Sequence, residues 1–492
     1  MTMLRAGAAA RTIAVATLGL ALGACGGGGG GGTPAPSPTP TPVNRAPSIT
    51  SPAAAAMLEN GTGVVYLASA TDADGDAITY SLSGTDAARF TMGSAGDVRF
   101  VAAPNFEKPA DADGDNVYSI QLTASDGKTS TSLAVTIAVY NYEEGIAVQD
   151  IASGFDHPTA IASIPGDSRV MIAQRSGAIY LYDPATQQQT LFAKVDGLTN
   201  ADGQGLLSIA VQPDFANRHI VYALVSYGGR VAVRQIFNNG GPTSWLEFNV
   251  GSHAAYSNNI GGWMGFGADA RLYVATGDAG GTSDPSGSAQ SGSSLFGKLM
   301  SFSTAAFDAY SGAAVPPPIV PTVLAKGLRL PGGGSFYSGG LLLPDRGQSA
   351  REEVNALPLT AGVLDNLGWP FREGTSVNLA GEPAGLIAPV LDYPHGTGTY
   401  AGQQIVAGLA YQGSNASLSG KYLFLDASGA VFTAPMSSLQ RGSTAGASVM
   451  ERRDLDFTPS NGTIVNPVSM VQVGNVIYIA CDNGHIFRVT AS

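Results

Sequence analysis

The sequence predicts an all-β protein: an immunoglobulin-like β-sandwich followed by a six-bladed β-propeller. Three observations predict it. Charged residues make up only 13% of the 492-residue chain, and glycine fills 65 positions. That composition suits short strands joined by tight turns rather than long amphipathic helices. Apolar runs of strand length recur between clusters of Asp, Gly and Asn. Over roughly the last 350 residues these runs come as hairpins of similar build, the mark of a repeat architecture at about 50 to 60 residues per blade.

The chain opens MTMLRAGAAARTIAVATLGLALGAC. Arg5 and Arg11 give a basic start, and the apolar run that follows is too short to span a bilayer, so residues 1–24 read as a secretory signal peptide. The run LGAC, Leu22 to Cys25, resembles the lipobox of bacterial lipoproteins. The resemblance implies that Cys25 is lipidated and becomes the first residue of the mature chain. The expected location is the bacterial cell envelope: lipid-anchored, periplasmic or on the outer-membrane surface. Each buried acyl CH2 adds about 0.8 kcal/mol to such anchoring. Seven glycines, Gly26 to Gly32, and the run TPAPSPTPTP form a tether over residues 25–43. Cys481 sits in the apolar run NVIYIACDNG and reads as a buried, inert thiol. The net charge of −12 disfavours nucleic acid and anionic lipid as electrostatic partners.

Residues 44–144 contain about seven short strands, a number that fits a sandwich. The loops between them are acidic: LENGTG, TDADGD, NFEKPADADGD and TASDG. Carboxylates two residues apart can face one ion, and Ca2+ takes six to eight hard oxygens. Asx-turns are the other use of such residues. The segment resembles a bacterial cadherin-like domain, which implies Ca2+ at the domain ends and a possible protein partner. Glu59 matches the early acid of that family, Asp72 and Asp74 its D-x-D pair, Glu107 the acid after NF, and Asp126 the acid of A-x-D-G. The closing acidic motif of the family is replaced by VYNYEEG.

Residues 145–492 carry the hairpins SRVMIAQRSGAIYLYD, ARLYVATGD, SGGLLLPDRGQ, GKYLFLDASGAVFTAP and NVIYIACDNGHIFRV. A propeller fits them because each blade covers the edges of its neighbours; a long array of sandwiches is the alternative. GQGLLSIAVQPDFANRHIVYALVSY, NNIGGWMGFGADARLYVATGDAGG, KGLRLPGGGSF, DRGQSAREEVN, LGWPFREG and APVLDYPHG follow one another in the order found in the glucose/sorbosone dehydrogenases. The segment resembles that family, which includes sugar dehydrogenases dependent on pyrroloquinoline quinone (PQQ) and non-enzymatic hedgehog-interacting proteins. The resemblance implies a six-bladed propeller with PQQ over its axis and an aldose or sorbosone-type substrate. It places Gln204, Asp278, Arg329 and Tyr393 at the cofactor, and the backbone carbonyls of Gly347 and Gln348 on its Ca2+.

PQQ oxidation of a sugar needs cationic donors for three carboxylates and a base that takes the hydroxyl proton. The resemblance puts the base at Asn259, in SNNIGG, and a carboxamide does not accept a proton near neutral pH. Such a base contributes about 10² to 10⁴-fold. The family's lysine falls at Ala427 or Ser428, and its late arginine pair falls in residues 462–469, which hold no cation. His395, on a matched loop, is the candidate replacement base, with His253 a second. Two functions follow: a sugar dehydrogenase with altered or lost catalysis, or a non-catalytic propeller that binds carbohydrate or protein beside a Ca2+-binding adhesion domain. Ca2+-dependent adhesion through the sandwich alone is a third. Trp263 and Trp369 read as packing residues, and Glu352 and Glu353 as residues that order their loop.

Overall fold

The structure, a computed structural model, describes residues 43–238, 244–253, 256–305, 319–360 and 362–492. The signal peptide, nearly all of the tether and Cys25 lie outside the described residues. Among the described residues no helix is long and apolar enough to cross a membrane.

The sandwich packs a four-stranded sheet against a three-stranded one. The larger sheet runs in the order Ala54–Leu58, Ser130–Tyr140, Val117–Ser125, Thr79–Ser83; the smaller pairs Tyr66–Leu67, Asp97–Phe100 and Phe90–Met92. Val117–Ser125 alternates exposed and buried positions along most of its length, as a strand with one face in a core must. Tyr118, Ile120 and Leu122 point inward against Phe90, Val98 and Val135. The Tyr118 ring stands edge-on to Phe100 at 5.0 Å.

Among the described residues the larger domain contains, besides one two-stranded sheet, six successive sheets of four or five strands, the blades, antiparallel except where Asp365–Asn366 runs parallel to Thr322–Lys326. Their innermost strands are Pro158–Ser163, Leu206–Val211, Gly262–Phe266, Ser335–Tyr337, Ile405–Ala410 and Pro467–Val473. All six contribute residues to a single axial cavity. The ring closes through the start of the domain: Ile146–Ala152 pairs with Ile486–Ala491 as the outer strand of blade 6. All five hairpin stretches legible in the sequence hold the second strand of a blade, and three of them also the third, such as Val170–Gln174 with Ala178–Asp183 and Val476–Cys481 with Ile486–Ala491. Second strands such as Leu272–Thr276 are buried on both faces, between neighbouring blades. Cys481 is fully buried, and burial pushes its thiol up to about 12.

The connector ties the two domains. Asn141 Nδ2 donates to Asp456 Oδ1 at 3.1 Å, and Asn415 Nδ2 donates to the Glu144 carbonyl at 2.7 Å. The Glu107 carbonyl of the sandwich accepts from Arg452 N and from the Tyr400 hydroxyl of the propeller.

Candidate functional site

The axial channel consists of two cavities of about 530 and 650 Å³ that share Ala160, Ser208, Trp263, Gly333 and Ser469 in their walls. The first is a funnel rimmed by loops, within the size range of small-ligand sites. Two sets of positions build its wall. Gln204, Asn258, Asn259, Gln404 and Asn466 come just before innermost strands, and Arg175, Arg346, Ala427 and Asp482 come just after second strands. Five carboxamide residues thus line one cavity, and Trp263 belongs to its wall. Trp263 also packs against Phe336, with ring centroids 5.5 Å apart.

Asn259 is the most constrained of the five. Its backbone is left-handed, φ 52°, a conformation asparagine tolerates better than most residues. Its carbonyl accepts from Ala279 N at 3.1 Å. A Cβ on Gly277 would stand 2.0 Å from that carbonyl, so position 277 has to be glycine. The Asn259 side chain is 7% exposed, and its Nδ2 has no hydrogen-bond partner among the described residues. A buried N–H pair without an acceptor costs about 1–3 kcal/mol unless a ligand or water meets it.

Other expected site residues lie behind the wall. Asp278 is fully buried and accepts from Trp369 Nε1 and Gly280 N, both at 2.8 Å. It does not line the funnel. Arg329 turns away from the axis: its Nη1 donates to the Gly347 carbonyl at 2.6 Å and to the Arg346 carbonyl at 3.1 Å, and its guanidinium lies 5.5 Å from the Trp369 ring centroid. The Gly347 carbonyl expected on Ca2+ therefore already faces a cation of the chain. The Gln348 side chain accepts from Ser283 N. Tyr393 is fully buried, donates to Asp426 Oδ2 at 3.0 Å and packs against Phe424 and Phe432. It is a core residue, not a funnel wall. His395 Nε2 lies 2.5 Å from Glu352 Oε1, and that buried carboxylate holds the imidazole above its usual range. Neither residue lines the funnel. His253 uses both ring nitrogens, one near Ser226 Oγ and one near the Tyr256 carbonyl.

Sequence reasoning missed two funnel cations. Arg175 Nη2 donates to Asp482 Oδ1 at 2.9 Å and lies 3.3 Å from Asp202 Oδ1. Asp482 also meets His157 Nδ1 at 3.1 Å. Arg346 Nε donates to the Ile405 carbonyl at 3.0 Å. Two guanidiniums and two carboxylates leave the lining without net charge. The signal was present in the repeats: Arg175, Arg346, Ala427 and Asp482 all follow the second strand of a blade.

Buried carboxylates aim the loops that carry the funnel. Asp345 accepts from Arg329 N and Leu330 N at 2.8 and 2.7 Å. Glu352 accepts from Ile405 N, Asp426 from Gln404 N, and Glu353 from Gly374 N. Burial pushes Asp278 up to about 6, Asp345 to about 7 and Glu353 to about 8. The folded protein then holds protons that the unfolded chain releases near pH 4. The stabilisation is full below that value and is lost as pH rises through about 6 to 8. Asp278 alone accounts for about 3 kcal/mol at 1.36 kcal/mol per unit. The melting temperature in chelator is expected to be higher at pH 5 than at pH 8, and Asp278→Asn to flatten that slope. A melt that rises over the same interval would count against the assignment.

In the sandwich the five expected Ca2+ ligands fall at two ends. Val117–Ser125, nine residues and about 30 Å long, separates Asp126 from the end where Glu59 N bonds the Tyr140 carbonyl. At the Asp126 end most of the carboxylate oxygens are occupied. Asp74 pairs with Arg45 at 2.8 Å and Asp76 with Lys128 at 2.7 Å. Asp72 Oδ1 accepts from Asp74 N and Asp76 N, while its Oδ2 has no partner. Asp126 accepts from Thr129 N, Asn44 and Lys128 N, which hold it well below the usual carboxylate range. Glu59 and Glu107 lie together at the other end, against the propeller.

A sequence model of the family described as glucose/sorbosone dehydrogenase matches residues 155–421, and one described as a bacterial Ig domain matches residues 44–138. An uncharacterized protein of Synechocystis is 28% identical over 32% of this chain and 42% of its own length. The HIPL2 protein of Arabidopsis thaliana is 30% identical over 39% of this chain and 30% of its own. The chain thus spans less than half the length of either relative. The PQQ-bound aldose sugar dehydrogenase of Streptomyces coelicolor superposes with a TM-score of 0.53 at 22% identity, over 70% of this chain and 98% of that one. The apo form of the soluble aldose sugar dehydrogenase of Escherichia coli gives 0.52 at 18%, over 70% and 100%. At these identities the likeness is one of fold.

Proposed function

Since the chain belongs to the glucose/sorbosone dehydrogenase family, we propose that its axial funnel binds a sugar, and that it holds the sugar without oxidising it by the family's quinone route. Asn259, a residue of the funnel wall whose buried Nδ2 has no partner among the described residues, carries this reading. A carboxamide offers a donor and an acceptor in one plane, which is what a sugar hydroxyl needs. Gln204, Asn258, Gln404 and Asn466 repeat the offer around the ring, and Trp263 gives an apolar face for C–H groups.

The donor set does not fit a tricarboxylate quinone with its Ca2+. The Gly347 carbonyl is taken by Arg329. Arg175 is committed to Asp482 and Asp202, leaving Arg346 as the guanidinium in the lining without a carboxylate partner. No histidine lines the funnel among the described residues, and Asn259 cannot take the proton.

Secretion and lipidation at Cys25 extend the proposal: the tether would hold the sandwich and funnel away from a bacterial membrane, where extracellular sugars are met. Ca2+ on the sandwich belongs to the same reading, and a protein partner would meet that domain.

The test mixes the purified chain with a panel of aldoses, followed by calorimetry, and separately with PQQ, Ca2+ and a reducible dye. Saturable aldose binding is expected, weakened about tenfold or more by Asn259→Ala, with no quinone-dependent dye reduction. Stoichiometric quinone uptake with sugar-dependent dye reduction would overturn the reading.

A further inference from the structure

One guanidinium in the funnel wall has no anion of its own. Arg346 follows the second strand of blade 4, Gly340–Asp345, and its backbone is tied on both sides. Its N donates to the Leu330 carbonyl at 3.2 Å, and its carbonyl accepts from Arg329 Nη1 at 3.1 Å. The half-buried side chain crosses to blade 5, where Nε donates to the Ile405 carbonyl at 3.0 Å. That bond restrains the guanidinium plane. Nη1 and Nη2 make no hydrogen bond or ion pair among the described residues, and neither is sealed from solvent. The residue lines the funnel.

The carboxylates behind Arg346 are engaged elsewhere. Glu352 meets His395 Nε2 and Ile405 N. Asp345 accepts from Arg329 N and Leu330 N, and Asp426 from Gln404 N and the Tyr393 hydroxyl. Their charges act on Arg346 from a distance, but none of them occupies its fork. The second funnel cation is different. Arg175 lies in blade 1, across the ring from blade 4, and faces Asp482 at 2.9 Å and Asp202 at 3.3 Å. The funnel is therefore polarised, with two carboxylates on one side and an unpaired guanidinium on the other. Carboxamides flank that guanidinium: Asn258 and Asn259 precede the inner strand of blade 3, and Gln404 precedes that of blade 5.

We propose that the sugar of this funnel is a hexuronic acid whose carboxylate is gripped by Arg346. A guanidinium is planar and always charged, and two of its N–H groups match the two oxygens of a carboxylate. One free fork fits one carboxylate, whereas a neutral aldose would leave it without an anion. The carboxamides beside Arg346 would donate to the outer lone pairs of the bound carboxylate, and Asp482 and Asp202 would accept from ring hydroxyls on the opposite side. The backbone ties and the Ile405 bond hold the fork in place before the ligand arrives, which lowers the ordering cost of binding. The net charge of −12 repels an anion at long range, so the preference for the acid arises from contact and not from steering. The inference rests on the reading of the funnel as a sugar site and narrows its ligand from aldoses in general to acidic ones.

The test is calorimetry on the whole chain with glucuronate and galacturonate, their methyl esters, and glucose and galactose. The esters keep the ring and lose the charge. The acids are expected to bind about tenfold or more tighter than the esters, with a preference that shrinks as salt is raised. Arg346→Gln is expected to bring the ratio of acid to ester affinity close to one, and Arg346→Lys to keep part of it, because the charge remains without the fork. Asn259→Ala is expected to weaken acid and ester alike and to keep the ratio, as any general damage to the funnel would. Should an Arg346 variant fail to fold, the wild-type comparison of acid with ester decides. Esters and neutral sugars bound as tightly as the acids, or a ratio untouched by Arg346→Gln, would overturn this inference and leave sugar binding standing. No binding of any of the six would remove both.

Discussion

Arg453→Leu is expected to be among the most destabilising single substitutions in this protein, at about 3–5 kcal/mol, the range for removing one partner of a buried ion pair. Arg453 is fully buried and faces Glu107, Glu144 and Asp456. Leucine fills much of the volume but leaves those carboxylates with no counter-charge from the chain. Protonation is one relief, and Glu107 is already raised to about 8 by burial. The loss is therefore expected to be larger at pH 8 than at pH 5, because the raised carboxyl keeps its proton at the lower value and gives it up as pH rises through the folded pKa. Thermal unfolding of both chains at the two pH values, in chelator, measures it. A difference under about 1 kcal/mol would class Arg453 with ordinary exposed pairs.

Asn259→His is expected to lose aldose affinity and to gain little oxidation. In the proposed reading the imidazole removes the unpartnered Nδ2 offered to the sugar, a loss of about 1–3 kcal/mol, or about 5- to 150-fold in affinity. If the base were the one missing part, PQQ and Ca2+ would give the variant a gain on the order of 10² to 10⁴ in dye reduction. The expectation is less than tenfold, because the Gly347 carbonyl stays engaged by Arg329 and Arg175 stays paired with Asp482. Dye reduction with and without quinone, beside calorimetry with the same sugar, measures both effects. A gain of several hundredfold would mean that the funnel still seats the cofactor and that only the proton acceptor had been replaced.

The hairpins that named the fold are the middle strands of the blades. Val170–Gln174 and Leu272–Thr276 are buried along their whole length, so they read as continuous apolar runs bounded by turns. Outer strands such as Gln188–Lys194 are largely exposed and carry little pattern. Inner strands such as Gly262–Phe266 mix glycine with aromatic residues because they face a channel. The resemblance pointed to Asn259, which lines the funnel, and to Arg329, which does not. It did not find which way the Arg329 guanidinium points, nor that Tyr393 lies in the core behind Asp426. Those directions depend on neighbours far along the chain. Arg175 and Arg346 were within reach, since their place after the second strand repeats from blade to blade.

By itself the sequence determined that the chain is built of strands; it predicted a divide near residue 144 and, through the resemblance, a carboxamide at the position expected for a base. These are local matters: burial period, turn chemistry and residue identity at one position. Only the tertiary structure decided what shares a space. It brought Arg175 to Asp482 across the closure of a ring, and Glu59, Glu107, Glu144 and Asp456 around Arg453 at one joint. Charge and hydrogen bonding act over a few ångströms, and nothing in the order of residues along a chain measures that distance.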